Sequence, residues 1–426
     1  MIPGIQAEEM IGVRNRGRAP KQCGGVFVPV NGDWQLVPVS FMHSYGWDKD
    51  LVFDFSSFQN RMLTRIEGKF TFDWWCPLSM VDGYGRHALA IYRGFKLLGC
   101  DPVLKGVDWE DRLFLTPDIE AAKFAGMYQV PSKIGCVMSL PYDHHIHSHQ
   151  SVNKIVVTQF ETNHIPEKHI INVNQCHHLI VTSKFQVKVW KDSGITLPIS
   201  VMTPGVDTDY FAYKERVPDG KFKVLLLGAI TGRKNPLGAI RIFQAASGGA
   251  QNWRLTIKTR KTDAVRQIED VAAHDPRIEV VVGDSHPDSV LQYYHGSDVL
   301  LFPTRGEGVG LPPLEAMSTG MEVVGSDHSG MADYMDEAHC YPIKTAAMES
   351  ASIPGQGFSR DYINQFGDVG EWWIPDEHHA VRQLQKCFDN WYASKGKGAR
   401  AAEYIRKYHT LLHQSESILK VLRKYE

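Results

Sequence analysis

From residue 70 onward, short apolar runs alternate with segments of helical periodicity. The apolar runs fall at 74–78, 134–140, 154–160, 179–182, 199–203, 222–227, 253–259, 278–282 and 299–302. The run at 222–227 reads as a strand buried on both faces of a sheet. Between the runs, Leu89, Tyr92, Phe95 and Leu98 recur at helical spacing before Gly99, and Leu237, Ile240 and Phe243 do the same. Strand–helix alternation predicts parallel sheets with crossover helices, an α/β fold. Residues 1–70 lack this rhythm. There, 26–30 and 34–39 flank Asn31-Gly32, a hairpin signal, and Pro29 and Pro38 place such strands at an edge. Residues 401–425 return to helical spacing, with Tyr404, Ile405, Tyr408, Leu411, Leu412, Ile418 and Leu422 apolar.

Composition narrows the class only slightly. The 426 residues suggest two or three domains, and 43% apolar with 22% charged residues is the balance of a globular protein. A net charge of -2 argues against a dedicated nucleic-acid binder, although Arg14, Arg16, Arg18 and Lys21 form a small basic run. Seven cysteines without a Cys-x-x-Cys suggest reduced thiols in a cytoplasmic setting. Neither a signal pattern nor an 18-residue apolar stretch is evident, so no membrane span is expected.

The chemistry concentrates between Asp298 and Gly320. A strand stops at Pro303, a loop Arg305-Gly-Glu307-Gly308-Val309-Gly310 follows, and Leu311-Pro312-Pro313-Leu314-Glu315 opens a helix. Proline suits the first helical positions and Gly320 the stop. Glu307 in the loop and Glu315 in the first helical turn can face one ligand, and carboxylates pair well with sugar hydroxyls. Gly308 and Gly310 would let the backbone approach that ligand. A second glycine loop, Gly83-Tyr84-Gly85, joins strand to helix where α/β folds bind phosphates. Arg233 and Lys234 occupy another strand-to-helix turn, an arrangement suited to a diphosphate, and Lys258 ends the next strand. His144, His145, His147 and His149 follow Asp143 without the spacing of a zinc site, so an acceptor-side or solvated loop is expected.

The text from Pro303 to Gly320 resembles the E-x(7)-E signature of retaining glycosyltransferases of the GT-B fold, family four (glycosyl transferases group 1). The resemblance covers roughly residues 72–345 and the C-terminal helix. It implies two Rossmann-like doubly wound domains facing a cleft: an acceptor domain over 71–205, a donor domain over 206–400 and a helix over 401–426 that crosses back. Residues 1–70 do not match the family's usual start and are expected to form an N-terminal extension, with the hairpin noted above, packed on the first domain. It implies that Glu315 binds the ribose of a nucleotide-sugar and Glu307 the transferred sugar, while the amides of Gly308, Val309, Gly310 and Leu311 hold hydroxyls and phosphate. Arg233 and Lys234 would hold the diphosphate, and Gly283 and Asp284 the base. Glu161 stands where many members carry a histidine near the reaction centre. Thr203-Pro-Gly-Val-Asp207-Thr-Asp209 is similar to the family's interdomain linker rather than to a metal-binding Asp-x-Asp. The expected reaction moves a hexose from a UDP- or GDP-sugar to an acceptor hydroxyl with retention, without metal or other cofactor. The acceptor could be a saccharide, a lipid-linked or small molecule, or DNA. The alternatives are a phage-type transferase acting on a hydroxymethylated DNA base and a GT-B nucleotide-sugar epimerase. A non-catalytic sugar binder is disfavoured by the intact Glu307, Glu315, Arg233 and Lys234 set.

Overall fold

The computed structural model describes residues 70–426, apart from 80–82, 108–114, 116, 128, 263, 284–286, 354 and 394–395, and five short strands before residue 70. Those strands are β1 (Met10–Asn15), β2 (Lys21–Cys23), β3 (Val26–Val28), β4 (Gln35–Pro38) and β5 (Leu51–Phe53). β2 pairs with β3, while β1 lies between β4 and β5. The hairpin expected to join 26–30 with 34–39 is replaced by these two pairings. Proline cannot donate to a ladder: β3 ends before Pro29, and Pro38 closes β4 opposite Met10. The Asn31-Gly32 turn, Arg16 and Arg18 lie outside the described residues.

The first α/β domain contains β6 (Asp73–Pro77), α1 (Gly83–Leu97), β7 (Val103–Val107), α2 (Pro117–Met127), β8 (Ile134–Met138), α3 (His145–Ser148), β9 (Asn153–Thr158), α4 (Glu167–Val173), β10 (His178–Val181), α5 (Lys184–Asp192) and β11 (Ile199–Val201). Its six strands are parallel, in the order β11-β10-β9-β8-β6-β7. The second contains β12 (Phe222–Leu227), α6 (Pro236–Ser247), β13 (Trp253–Thr259), α7 (Val265–Ala272), β14 (Ile278–Val282), α8 (Pro287–Gly296), β15 (Val299–Phe302), α9 (Leu311–Ser318), β16 (Glu322–Ser326) and β17 (Tyr341–Ile343). Its parallel order is β14-β13-β12-β15-β16-β17, the Rossmann order 3-2-1-4-5-6. β8, β10, β15 and β16 are buried along their whole length, and in β8 and β15 this explains the unbroken apolar text. Strand order reverses between β6 and β8 and between β12 and β15. In open α/β sheets ligands bind at such switch points, beyond the carboxyl ends of the strands. The Gly83 loop, the Arg233 turn and the Glu307 loop all lie there.

After β17 the chain makes an excursion: β18 (Thr345–Ser350), α10 (Arg360–Phe366) and β19 (Glu371–Pro375), with β18 and β19 paired antiparallel. It then returns through α11 (Glu377–Tyr392). The segment expected as one terminal helix over 401–426 is two, α12 (Gly398–Tyr408) and α13 (Leu411–Leu422). Thr410 separates them because its hydroxyl accepts from the His413 N–H and caps α13. Val206, in the outgoing linker, bridges to Thr410 in the returning one, so the two crossings run side by side. α13 packs on the first domain, where Ile418 and Leu422 join Trp74, Leu89 and Phe95 in one buried cluster. Gly94 permits this approach, since an added Cβ there would meet the Ser415 hydroxyl at 2.0 Å.

Candidate active site

Most of the residues singled out in the sequence line one cleft of about 300 Å³ between the domains. Gly83, Tyr84 and Glu161 come from the first domain; Arg233, Lys234, Lys258, Gly283, Glu307, Val309, Gly310 and Leu311 come from the second. Asp284 lies outside the described residues.

At its centre a buried carboxylate meets two cations. Glu307 is only 6% exposed. Its Oε1 takes all three of its side-chain contacts: the Arg233 guanidinium at 2.9 Å, Lys234 Nζ at 2.7 Å and the Thr304 hydroxyl at 2.9 Å. Burial alone would raise its pKa, but Arg233 and Lys234 reverse the shift and bring it down to about 2. Burial lowers the Lys234 pKa, with Glu307 offsetting part of that shift. Burial also acts to lower the Arg233 pKa, but Glu307, then Glu161, carries it above its usual value.

Backbone geometry sets these side chains. Gly232–Lys234 forms a 3-10 turn, and left-handed Asn235 (φ 52°) then hands the chain to Pro236, the first residue of α6. The Arg233 carbonyl accepts the Arg305 N–H at 2.7 Å, which couples this turn to the Glu307 loop. The Ser329 hydroxyl receives the Glu307 N–H at 3.0 Å, and Tyr334 donates to the Val309 and Gly310 carbonyls at 2.9 and 2.7 Å. Gly310 is left-handed (φ 80°) and precedes Leu311, the first residue of α9.

Three predicted residues behave differently from expectation. Glu315 is the fifth residue of α9, beyond the first turn, because that helix begins at Leu311. It is buried behind the cleft wall, where Tyr294 donates to Oε2 and Arg86 reaches Oε1 at 3.0 Å from the first domain. Gly308 faces the other domain rather than open space, since an added Cβ would meet Gln159 Oε1 at 2.1 Å. Gly85 allows α1 to rest on its own incoming loop, where a Cβ would lie 2.3 Å from the Ser79 carbonyl oxygen.

Glu161 follows β9 and faces Arg233 across the cleft at 3.5 Å. Thus two ion pairs of opposite sense span the domains, Arg86–Glu315 and Arg233–Glu161. The Thr182 hydroxyl adds a hydrogen bond to the Gly308 carbonyl at 3.0 Å. Lys258 donates to the Gly283 carbonyl at 2.7 Å, fixing the left-handed Gly283 (φ 141°) at the edge of the cleft.

Sequence reasoning missed Arg86, Gln159, Thr304 and Tyr294. A signal existed for Arg86: it stands in the first turn of α1, where a cation opposes the helix dipole. The remaining three are ordinary polar residues whose partners are remote in sequence.

Asp207 belongs to the linker, where its Oδ1 accepts the N–H groups of Asp209 and Tyr210 at 3.2 and 3.1 Å. Among the described residues, Asp143, His144 and His145 bring ligand-type atoms within 4.8 Å of one another. His144 is 73% exposed, and the Asp143 Oδ1 is already bound by the His145 N–H and Nδ1 at 2.9 and 2.7 Å.

Two Rossmann-like domains facing a cleft constitute the GT-B fold. Residues 208–351, within the second domain, match the family described as glycosyl transferases group 1. No curated protein sequence matched the chain. The fold is similar to that of sucrose-phosphate synthase from Thermosynechococcus elongatus (TM-score 0.59, 11% identity, 84% of this chain and 99% of that one). It is also similar to a glycosyltransferase from Rickettsia africae (TM-score 0.56, 14% identity, 84% and 99%). A third likeness is to WaaG, a glycosyltransferase involved in lipopolysaccharide biosynthesis (TM-score 0.53, 14% identity, 83% and 99%).

Proposed function

We propose that this glycosyltransferase moves a hexose, with retention, from a UDP- or GDP-sugar to an acceptor hydroxyl, without a metal ion. The observation that carries this reading is the Arg233–Lys234–Glu307 cluster at a strand switch point. Arg233 and Lys234 keep further N–H donors for a diphosphate, and Glu307 keeps Oε2 for a hydroxyl of the transferred sugar. Acceptor oxygen attacks the anomeric carbon on the face the diphosphate leaves. The C–O bond to the leaving group breaks, the new C–O bond forms, and the acceptor proton passes to the departing phosphate oxygen. Negative charge growing there is stabilised by two fixed cations. Arg86 must swing from Glu315 to admit the ribose, and in doing so it becomes available to the phosphates. Cys76, Cys100, Cys136, Cys176, Cys340 and Cys387 are buried free thiols, in keeping with a cytoplasmic setting. Among the described residues no helix is long and apolar enough to cross a membrane.

The decisive experiment is turnover with UDP-, GDP- and ADP-sugars, with the anomeric configuration of the product read by proton NMR. Absence of any sugar transfer, or an inverted product, would overturn the proposal. Glu161→Gln should lower kcat strongly while UDP or GDP affinity holds, because the nucleotide is assigned to the second domain. A large loss of nucleotide affinity with normal turnover would remove Glu161 from this role. Turnover should also persist in excess EDTA, since Asp207 is turned into its own backbone. Abolition by EDTA with recovery on manganese or magnesium would restore the Asp-x-Asp reading.

A further inference from the structure

The excursion between β17 and α11 runs largely beyond the matched region, which ends at residue 351. It leaves the second domain and packs on the first. Trp372, Val369 and Ala351 are buried in one cluster with Phe160, Ile165 and Ile170. Phe358 stacks on Phe160 at 5.4 Å, and Phe366 stacks on Tyr142 at 5.1 Å.

Three sets of its contacts fall within two residues of charged groups of the cleft. Asn163, two residues after Glu161, exchanges three hydrogen bonds with Glu371. Its N–H donates to the Glu371 carbonyl at 3.2 Å, its Oδ1 accepts the Glu371 N–H at 2.8 Å, and its Nδ2 donates to Oε2 at 3.1 Å. Arg305, two residues before Glu307, accepts the Trp373 N–H on its carbonyl at 3.0 Å and donates to Gln356 Oε1 at 3.0 Å. Gly232, beside Arg233, lies so close to the Gln356 backbone that an added Cβ would sit 2.1 Å from that carbonyl oxygen. At the pivot, Gly370 is left-handed (φ 72°), and a Cβ there would meet Asn163 Oδ1 at 2.5 Å.

We propose that residues 344–376 form a positioning clasp that holds Glu161 of the first domain against Arg233 and Glu307 of the second, with Asn163 and Glu371 as its positioning residues. Packing alone does not account for the arrangement, because a single short excursion grips the segments that carry Glu161, Arg233 and Glu307, each beside the charged residue. Domain closure then does not depend on the donor alone, as the clasp supplies part of it in advance. The catalytic consequence rests on the function proposed above; the mechanical one does not.

The test uses the full chain. Asn163→Asp sets a carboxylate against that of Glu371 while keeping an acceptor for the Glu371 N–H. Adding Glu371→Gln restores a donor–acceptor pair between the same positions. Hydrogen exchange of segments 159–165 and 304–308 in the unliganded protein should quicken in Asn163→Asp and return to the wild-type rate in the double variant. With a turned-over donor in hand, kcat should fall about tenfold in the single variant and recover in the double, a size in keeping with small misplacements of reacting groups. UDP or GDP affinity should stay unchanged. Unaltered exchange in Asn163→Asp, or a double variant no better than the single, would overturn the clasp. Should the wild-type chain transfer no sugar, the function falls, yet the exchange measurement still decides the clasp.

Discussion

Replacing Arg233 or Lys234 by alanine is expected to cut turnover by about 100-fold or more, the usual size of a lost contact to transition-state charge. Each single substitution leaves Glu307 one cation, so its buried carboxylate keeps a partner and the fold should survive. Removing both cations is a different experiment. It strands a carboxylate that is 6% exposed, at a cost on the order of 3–5 kcal/mol. Initial rates at saturating donor, with urea unfolding as a control, separate the two effects. Near-wild-type rates in both single variants would remove the diphosphate assignment.

Stability should fall steeply as pH drops from 6.5 towards 4. His87, His149, His169 and His328 are all held neutral by burial, with pKa values lowered from 6.5 to about 4. The unfolded chain therefore binds protons before the folded one, and stability rises with pH across this window. Above pH 6.5 the contribution is complete. At pH 4 each histidine costs up to about 3 kcal/mol, because each tenfold loss of proton affinity on folding is worth about 1.4 kcal/mol. Asp298 acts in the opposite direction, since burial raises its pKa to about 6 and the folded state takes up that proton early. It offsets less than one histidine. The remaining cost is of the order of a whole domain's stability, roughly 5–15 kcal/mol. Urea midpoints at pH 7, 6 and 5 would show the fall. His169→Phe should move it to lower pH, because His169 is fully buried among Phe160, Tyr362 and Phe366 and its Nδ1 has no hydrogen-bond partner among the described residues. A flat profile between pH 6.5 and 5 would contradict the assignment.

Both effects follow from burial, and burial was only partly legible in the text. Apolar runs such as 299–302 located nine of the twelve strands of the two sheets to within about two residues, the usual scatter of such boundaries, and missed β7, β16 and β17. Pro312, Pro313 and Gly320 located α9. What they could not give was depth. Nothing local distinguishes His169, fully buried, from His144, which is exposed.

The sequence by itself determined which residues sit at the carboxyl ends of strands. Strand period, glycine loops and helix starts are local signals, and they placed Arg233, Lys234 and Glu307 in turns of one kind. The tertiary structure alone decided what those turns face. Gly308 was read as room for a ligand, and its space belongs to Gln159. Glu315 was read as open to a ribose, and Arg86 covers it from a position 229 residues away. The excursion over 344–376 carried no motif, yet it touches three of the site's segments. Each of these pairings joins residues whose separation in sequence far exceeds the reach of helix or strand periodicity. They arise when two independently patterned sheets dock, and the docking is set by shape and charge across the cleft rather than by any run of residues along the chain.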